Sequence, residues 1–396
     1  MMFLDRAAKW LLAVNALFSV SVALSSTFVN VYLWKVKPDF TMIGLFNLWQ
    51  YVMIALTFVL AGWLVKRRDR AVTLRIGVVV LALFFLAVLL LGERAVHHVL
   101  WLGALLGVGN GFYWLGYNVL YFEITEPDNR DRYNGFDGLF TSLSEIVAPL
   151  LSGWVIVTMS DLWGYTVIFA VSLGIFVVAV FLTFSLPKRP LQGKYALREV
   201  YSETCRRSKW HYAMLASIGQ GLPDAVFVFL IGLLVYVVTS SEWQLGVFSF
   251  VTAGVSLLTY FLVGRYMRRH WRNAFILTGA LTMSLAAIPS LLQTNYLTML
   301  LFGLGLSLSA PFFLVPLTST VFDLIGSHQW RVATRVEHVV MRELALSVGR
   351  LLGIAAFLWT VRYTTKTGHL LLLLFLLSLL QCLSWFFMKK ADGVAD

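Results

Sequence analysis

Residues 62–70 read GWLVKRRDR, and further along the chain residues 264–272 read GRYMRRHWR. In each copy a glycine ends an apolar run, and basic residues follow at the fourth, fifth and eighth positions after it. Residues 44–46 and 246–248 are similar at the same offset. A repeat at a fixed offset indicates that one structural unit occurs twice along the chain. We therefore predict two similar halves.

The composition places both halves in a membrane. Of 396 residues, 59% are hydrophobic and only 13% are charged, which is far outside the range of soluble globular proteins. An apolar run of about 20 residues is long enough to cross the hydrocarbon core as a helix. Twelve such runs lie near residues 10–34, 41–65, 76–92, 99–123, 136–158, 164–186, 212–238, 244–265, 275–293, 297–325, 339–360 and 370–388. The predicted fold class is an all-α integral membrane protein with twelve transmembrane helices in two six-helix repeats.

A polar stretch separates the two halves. Residues 187–211 carry seven basic residues against Glu199 and Glu203. Basic amphipathic segments bind the anionic inner leaflet of a membrane. We predict a six-helix bundle over residues 1–186, a cytoplasmic linker that is partly an amphipathic helix over 187–211, and a second six-helix bundle over 212–396.

The basic residues alternate between the two sides of the membrane. The net charge is +11, and with both termini inside, the inner segments hold 24 Lys and Arg residues against 5 in the outer loops. Cytoplasmic loops of membrane proteins are enriched in these residues. We therefore predict a multi-pass protein of the cell (plasma or inner) membrane with cytoplasmic termini, and we assign the charge to topology and not to nucleic-acid binding.

The sequence lacks the motifs of enzymes and metal sites. It contains no phosphate loop of the type Gly-x-x-x-x-Gly-Lys and no serine in a nucleophile elbow. The seven histidines fall in loops or at interfaces, and Cys205 and Cys382 lie too far apart to pair in this topology. We expect no enzyme activity, no cofactor and no metal.

The loop after the second span resembles the loop motif of the major facilitator superfamily, Gly-x-x-x-Asp-Arg-x-Gly-Arg. Gly62, Arg67 and Arg70 match this motif, whereas Lys66 and Asp69 replace its aspartate and its second glycine. With twelve spans in two halves and a basic linker, the chain is similar to that superfamily over nearly its whole length. The resemblance implies a secondary transporter that works by alternating access, with its substrate site between the two halves.

A second resemblance lies in the fifth span. Residues 148–153, APLLSG, resemble the Gly-Pro-x-x-Gly-Gly element of drug-exporting antiporters in this superfamily, with Ala148 and Ser152 in place of two glycines. Small residues allow helices to approach closely, and proline bends a helix. The segment is a hint of export, and ordinary packing of small residues explains it equally well.

Lys66 stands where the superfamily carries an acidic residue that helps to latch the inner gate. In this chain the acidic residues lie instead at the inner ends of the fourth and tenth spans. We therefore predict a latch of reversed polarity. In this latch Lys66, Arg67 and Arg70 face Glu123 and Glu126, and Arg268 and Arg269 face Asp323. The alternative is that these charges only determine topology.

An ionisable side chain within a span is costly, so it normally faces a cavity or a partner. Asp224 follows Pro223 in the seventh span, where the proline should bend or break the helix. A broken helix exposes backbone groups that can bind substrate or ions. A carboxylate at this place can carry a proton across the membrane. The alternative is that Asp224 caps the second part of a kinked helix.

Glu343 and Arg350 lie two turns apart on one face of the eleventh span, and we expect them to be too far apart to pair directly. Each then needs a partner on another helix. Because spans five and eleven correspond in the repeat, we predict a bridge between Glu145 and Arg350. Such a bridge can be a gate, a proton site or a structural pair, and the sequence favours none of the three.

The fourth span carries a polar stripe. Asn110, Tyr113, Trp114, Tyr117, Asn118 and Tyr121 recur every three or four positions, which places them on one helical face. Because amides and hydroxyls are unfavourable in lipid, we predict that this face lines a substrate cavity. The other predicted cavity residues are Asn30, Asn47, Gln50, Tyr51 and Gln220. Aromatic rings beside amides suit an amphiphilic substrate, and the alternative for the rings is interfacial anchoring or packing.

These features predict a secondary active transporter that works by alternating access, with proton-coupled export of an amphiphilic compound or a lipid-like envelope component. Uptake of a small metabolite is the alternative within this class. The alternative outside it is a membrane scaffold that transports nothing. The expected partners are a small-molecule or lipid-like substrate, protons and membrane lipids, and we expect a monomer.

Overall fold

A computed structural model describes residues 5–67, 70–124, 127–186, 194–327 and 329–393. In these residues the fold is helical, and twelve helical spans are long and apolar enough to cross a membrane. They correspond to the twelve apolar runs of the sequence. The predicted all-α membrane fold is therefore confirmed.

The chain divides into two compact units. The first comprises Met1–Lys194 together with Ser241–Phe250, and the second comprises Tyr195–Ser240 together with Val251–Asp396. The first unit thus includes the beginning of the eighth membrane helix.

Six long helices form most of the first unit. They are α1 (Arg6–Val36), α2 (Phe40–Arg67), α3 (Arg70–Leu91), α4 (Val99–Ile124), α5 (Pro127–Thr158) and α6 (Trp163–Thr183). Asp5 caps α1, because its side chain accepts a hydrogen bond from the backbone N–H of Ala8. Helix α4 packs along α2 and α3, and α1 contacts both α4 and α5. The polar stripe of α4 therefore lies close to α1.

The second unit contains the remaining helices, apart from the beginning of α9. They are α7 (Leu197–Cys205), α8 (Lys209–Thr239), α9 (Glu242–Tyr266), α10 (Arg272–Ala286), α11 (Ile288–Leu292), α12 (Tyr296–Gly326), α13 (Gln329–Ala333), α14 (Arg335–Tyr363), α15 (Thr367–Leu380) and α16 (Cys382–Asp392). Helix α8 is central, because α14 and α16 pack along it and α12 contacts it as well.

Glycines allow α4 to approach its neighbours closely. A Cβ on Gly77 of α3 would collide with the backbone of Tyr113 on α4, and a Cβ on Gly103 of α4 would collide with the carbonyl oxygen of Phe46 on α2. Only a residue without a side chain permits such backbone contact. Helix α4 is therefore held closely between α2 and α3.

Helix α8 contradicts one expectation from the sequence. We predicted that Pro223 bends or breaks this helix; it runs unbroken from Lys209 to Thr239, so a break is wrong, and a bend stays a prediction. Close packing against α14 supports the backbone on both sides of the proline, which lets the helix continue without one N–H donor. Asp224 accordingly lies inside α8 and does not cap a second helical segment.

Candidate functional site

A carboxylate that sequence analysis missed, Asp137 on α5, is the centre of a hydrogen-bond cluster in the first unit. Its Oδ1 accepts a hydrogen bond from Asn15 Nδ2 at 2.6 Å, and its Oδ2 accepts one from the Tyr117 hydroxyl at 2.9 Å. The Tyr113 hydroxyl donates to Asn15 Oδ1 at 2.6 Å. Among the described residues Asp137 has no basic partner. A proton can therefore bind to Asp137 without breaking an ion pair.

Aromatic rings surround the tyrosines of this cluster. The ring of Phe18 stacks on Tyr113 with centroids 3.6 Å apart, and Tyr113 stacks on Tyr117 at 6.1 Å. Trp114 meets Phe18 edge to face at 5.4 Å and is 41% exposed. The hydroxyls of Tyr117 and Tyr133 lie 3.3 Å apart. The stripe on α4 is therefore an aromatic surface joined to a carboxylate, and Trp114 is its exposed edge.

Three of the predicted cavity amides are engaged within the first unit. Asn47 is buried, and its Nδ2 donates to Asn30 Oδ1 and to the Ile43 carbonyl oxygen, each at 2.9 Å. Asn110 Nδ2 donates to the Leu106 carbonyl oxygen of its own helix at 3.0 Å. The role of these three amides in a cavity stays a prediction.

The remaining predicted cavity residues differ in their burial. Gln50 and Asn118 are partly buried, and Tyr51 is buried. Gln220, in the second unit, is also buried, and its Oε1 has no hydrogen-bond partner among the described residues. A buried amide oxygen without a donor is costly. Gln220 is thus able to accept a hydrogen bond from a ligand.

At the other end of α1, Lys35 contacts Glu242, the first residue of α9. Lys35 Nζ lies 2.8 Å from Glu242 Oε1, and the Tyr165 hydroxyl donates to the same oxygen at 2.9 Å. Glu242 is only 6% exposed. Sequence analysis did not predict this pair. The pair joins α1, α6 and the beginning of α9 within the first unit.

Arg350 joins two carboxylates in the second unit. Its Nε donates to Asp224 Oδ2 at 2.7 Å, and its Nη1 donates to Glu343 Oε1 at 2.5 Å. The expectation that Glu343 and Arg350 are too far apart to pair is wrong. Two turns of helix rise roughly 10 Å, and two long side chains that extend toward each other cover that distance. The predicted partner Glu145 belongs to the other unit, and its bridge to Arg350 stays a prediction.

A second arginine of α14, Arg342, has no carboxylate partner among the described residues. Its Nη2 lies 3.5 Å from Thr318 Oγ1, and its guanidinium carbon lies 5.4 Å from the centre of the Phe322 ring. Both of these residues belong to α12. The Nε of Arg342 is buried without an acceptor. Sequence analysis gave this arginine no role.

The predicted latch residues form pairs within each unit. Arg70, at the start of α3, pairs with Glu123, near the end of α4. In the second unit Asp323 lies 3.6 Å from Arg269 but only 2.6 Å from Arg272, which sequence analysis did not include. These pairs place opposite charges together, and their action as a latch stays a prediction.

The other latch residues have different surroundings. Arg67 lies over the ring of Trp63 at 4.6 Å, and Arg268 lies over the ring of Trp271 at 5.6 Å. Lys66 is buried. Glu126, the last member of the predicted latch, lies outside the described residues.

A buried charge cluster fixes α7, which lies in the predicted linker, to the second unit. Glu203 on α7 lies 2.8 Å from Arg331 Nη2 and 3.1 Å from His338 Nε2. His338 is fully buried, and its ring centroid lies 4.8 Å from that of Trp210. Burial raises the pKa of Glu203, but hydrogen bonds from His338 and Arg331 outweigh this effect and lower it overall. Sequence analysis missed this cluster because it assigned Arg331 to topology and placed the histidines in loops or at interfaces, which is wrong for His338 inside α14.

Comparison with known proteins gives one family and two relatives. Residues 11–334 match the family model described as Major Facilitator Superfamily. The chain is 39% identical over 385 residues to the uncharacterized protein YqgE of Bacillus subtilis (strain 168). This match covers 97% of this chain and 90% of that protein. It is 50% identical over 159 residues to the uncharacterized protein in the sodM 3' region of Geobacillus stearothermophilus. This match covers 40% of this chain and 74% of that protein.

Two solved structures have a similar fold. The crystal structure of a D-xylose-proton symporter matches with a TM-score of 0.74 and 14% identity, covering 98% of this chain and 99% of that one. The outward-facing crystal structure of a bacterial homologue of the iron transporter ferroportin matches with a TM-score of 0.65 and 16% identity, covering 98% and 100%. At these identities the similarity shows the fold alone.

Proposed function

Because the chain belongs to the Major Facilitator Superfamily and is therefore a multi-pass secondary transporter and not an enzyme, we propose that it exports an amphiphilic compound or a lipid-like envelope component in exchange for protons. Alternating access is the proposed mode of transport. The observation that carries the proposal is Asp137, a carboxylate within a span that receives its two hydrogen bonds from neutral donors.

Asp137 is suited to take up and release a proton. In the charged state it accepts hydrogen bonds from Asn15 and Tyr117, and these bonds favour the carboxylate. Protonation removes the charge that strengthens both bonds. Asn15 also accepts the hydroxyl proton of Tyr113. A proton on α5 therefore alters the bonding of the aromatic stripe on α4.

The surroundings of Asp137 favour an amphiphilic substrate. The stacked rings of Phe18, Tyr113 and Tyr117 offer apolar contact area, and the exposed edge of Trp114 extends it. Rings of this kind bind apolar groups by stacking, while their hydroxyls bind polar ones. Export is favoured by the resemblance of residues 148–153 to the antiporter element.

The second unit adds a network of charged side chains. Arg350 lies between Asp224 and Glu343, so both carboxylates share one positive charge. A shift of Arg350 toward one carboxylate strengthens that bond and weakens the competing one. The network thus supports a two-state role for Arg350 in coupling.

Transport in proteoliposomes tests this function. The full chain is reconstituted in neutral lipid, a pH gradient is imposed, and the movement of rhodamine 6G, a cationic amphiphile, and of dodecyl phosphate, an anionic one, is followed. We expect gradient-dependent movement of at least one probe. Asp137→Asn should reduce it by about tenfold or more, equivalent to roughly 1.4 kcal/mol. Glu93→Gln, which changes an exposed carboxylate, serves as the matched control and should leave it unchanged.

Several outcomes would contradict the proposal. If the wild type moves neither probe, it does not export amphiphiles of either charge, and the scaffold alternative gains weight. Movement in the opposite direction would indicate uptake. Equal gradient-driven movement in Asp137→Asn and the wild type would remove Asp137 from proton coupling.

A further inference from the structure

We infer that the second unit contains a site for an anionic head group, a phosphate or carboxylate attached to an apolar body, built around Arg342. This inference rests on the proposed function, because it names the charge class of the amphiphile that the transporter takes.

Two of the arginines in α14, Arg342 and Arg350, differ in how their donors are used. Arg350 donates to two carboxylates at 2.7 and 2.5 Å. Arg342 has one long contact, 3.5 Å, with a neutral hydroxyl, and its buried Nε has no acceptor among the described residues. A guanidinium has five N–H donors and keeps its charge in a protein. Such a group within a span normally faces a partner or a substrate path.

The nearby carboxylates do not satisfy Arg342. Glu343 and Asp224 act on it electrostatically from a distance, and Arg350 opposes them. Each of these carboxylates bonds Arg350 through one oxygen. The four groups carry no net formal charge, yet the buried Nε of Arg342 has no acceptor among the described residues. A hydrogen-bond acceptor from outside the described chain can use this donor, and a negatively charged acceptor binds a guanidinium most strongly.

The position of Arg342 shapes the site. Helices α12 and α14 both pack on α8, and Arg342 reaches from α14 to α12. There Thr318 and Phe322 lie one turn apart on the same face. An oxyanion can accept from the fork of Arg342 and from the Thr318 hydroxyl. The Phe322 ring, 5.4 Å from the guanidinium, then lies beside the first carbons of the apolar body.

Binding measurements on the purified full chain in a neutral maltoside detergent test the site. The probes are dodecyl phosphate and dodecanol, which have the same tail, and the readout is the shift in unfolding temperature with probe concentration. We expect dodecyl phosphate to stabilise the wild type in a saturable way and dodecanol to do so far less. Arg342→Gln should weaken dodecyl phosphate binding by about tenfold or more. Arg362→Gln, an exposed arginine of the same helix, should bind like the wild type.

Arg342→Lys is a second variant, which tests the site even if Arg342→Gln folds poorly. It keeps the positive charge but loses the fork, so we expect binding between that of the wild type and that of Arg342→Gln. Each variant is first compared with the wild type without ligand, by gel filtration and unfolding temperature. Equal binding of dodecanol and dodecyl phosphate, or wild-type binding in both Arg342 variants, would overturn the inference.

A second arm identifies the source of the head group. Phosphatidylglycerol and phosphatidylcholine are compared by native mass spectrometry on the wild type and Arg342→Gln. Retention of phosphatidylglycerol that depends on Arg342 would identify a membrane lipid as the ligand. Binding of dodecyl phosphate without such retention would identify a soluble amphiphile. Both results support an anionic head-group site.

The inference and the proposed function can fail separately. If the wild type and Arg342→Gln move rhodamine 6G equally and dodecyl phosphate does not bind, the site is wrong while the transport function stands. If dodecyl phosphate binds through Arg342 but neither probe moves in proteoliposomes, the site stands while the transport function is wrong.

Discussion

The two units use the same packing contact in different surroundings. Gly77 of α3 contacts the backbone of Tyr113 on α4, and at the corresponding place in the repeat Gly279 of α10 contacts that of Phe313 on α12. The Tyr113 hydroxyl donates to Asn15 and so reaches Asp137, whereas Phe313 is fully buried in an apolar cluster. The repeated glycines thus give both units the same close helix packing. The Tyr113 hydroxyl adds a hydrogen bond to Asn15 at this contact, and Phe313 has no hydroxyl with which to form one.

The charged groups of the two units also differ in their partners. In the first unit a carboxylate is held by neutral donors, and in the second two carboxylates share Arg350 while Arg342 has no such partner among the described residues. Two copies of one fold therefore carry different chemistry. In our proposals the first unit takes the proton and the second takes the anionic head group.

The largest effect is expected from the shared glycine contact. Gly77→Val and Gly279→Val place a side chain against backbone atoms, and each should destabilise the fold by about 3 kcal/mol or more, because neither helix can move freely. Unfolding temperature and gel filtration give the readout. Gly174→Val on α6 is the control, since a Cβ there meets nothing nearby. A large loss of stability from only one of the two substitutions would contradict the claim that both units depend on the same contact.

The second largest loss of stability is expected from removal of the Arg350 charge. Arg350→Gln leaves Asp224 and Glu343 without the cation that bonds both of them, which should cost roughly 3 kcal/mol in unfolding free energy. Thermal unfolding measures the loss, with Arg362→Gln as the exposed control. Neutralising both carboxylates in the Arg350→Gln background should restore part of the stability. A single variant as stable as the wild type would show that the network contributes little.

Exchange of the two aromatic residues tests the comparison itself. Phe313→Tyr puts a hydroxyl into an apolar cluster and should cost about 2 kcal/mol, whereas Tyr113→Phe removes a hydrogen bond to Asn15 and should cost about 1 kcal/mol. Only Tyr113→Phe should also alter the pH dependence of transport. If Phe313→Tyr had that effect as well, the polar network would not be confined to the first unit.

The smallest effect concerns the Glu203 cluster and pH. The folded-state pKa of Glu203 is lowered, so its stabilisation is complete above the unfolded value of about 4.3 and is lost as the pH falls toward the folded value. The difference in unfolding temperature between the wild type and Glu203→Gln should therefore shrink below about pH 4.3. At pH 7 we expect the free energy of unfolding of the wild type and Glu203→Gln to differ by about 1 kcal/mol or less. Glu199→Gln, exposed on the same helix, should show no such trend.

The sequence was sufficient to predict the fold and part of the site. Span length and apolar composition are local properties, so the twelve spans could be located from them. The stripe on α4 was found because Tyr113, Trp114 and Tyr117 recur with the helical period. Asp137 was missed because it lies at the predicted start of the fifth span, where a charged residue is ordinarily solvated.

Side-chain pairing was the part that could not be predicted. Glu203 and His338 are separated by 135 residues, and no local pattern relates them. The Glu343 to Arg350 pair depends on both side chains extending along the helix, which spacing alone does not determine. The role of Pro223 depended on the packing of α14 against α8, which is a tertiary contact.

Proton movement driven by the substrate tests the central claim most directly. Proteoliposomes that contain the protein and the luminal pH dye pyranine receive a gradient of rhodamine 6G or dodecyl phosphate, without any imposed pH gradient and with protein-free liposomes as the baseline. Our account predicts that the wild type and Glu93→Gln change the luminal pH as a probe crosses, and that Asp137→Asn does not. Probe transport by the wild type without a change in luminal pH, or an equal change in Asp137→Asn, would contradict it.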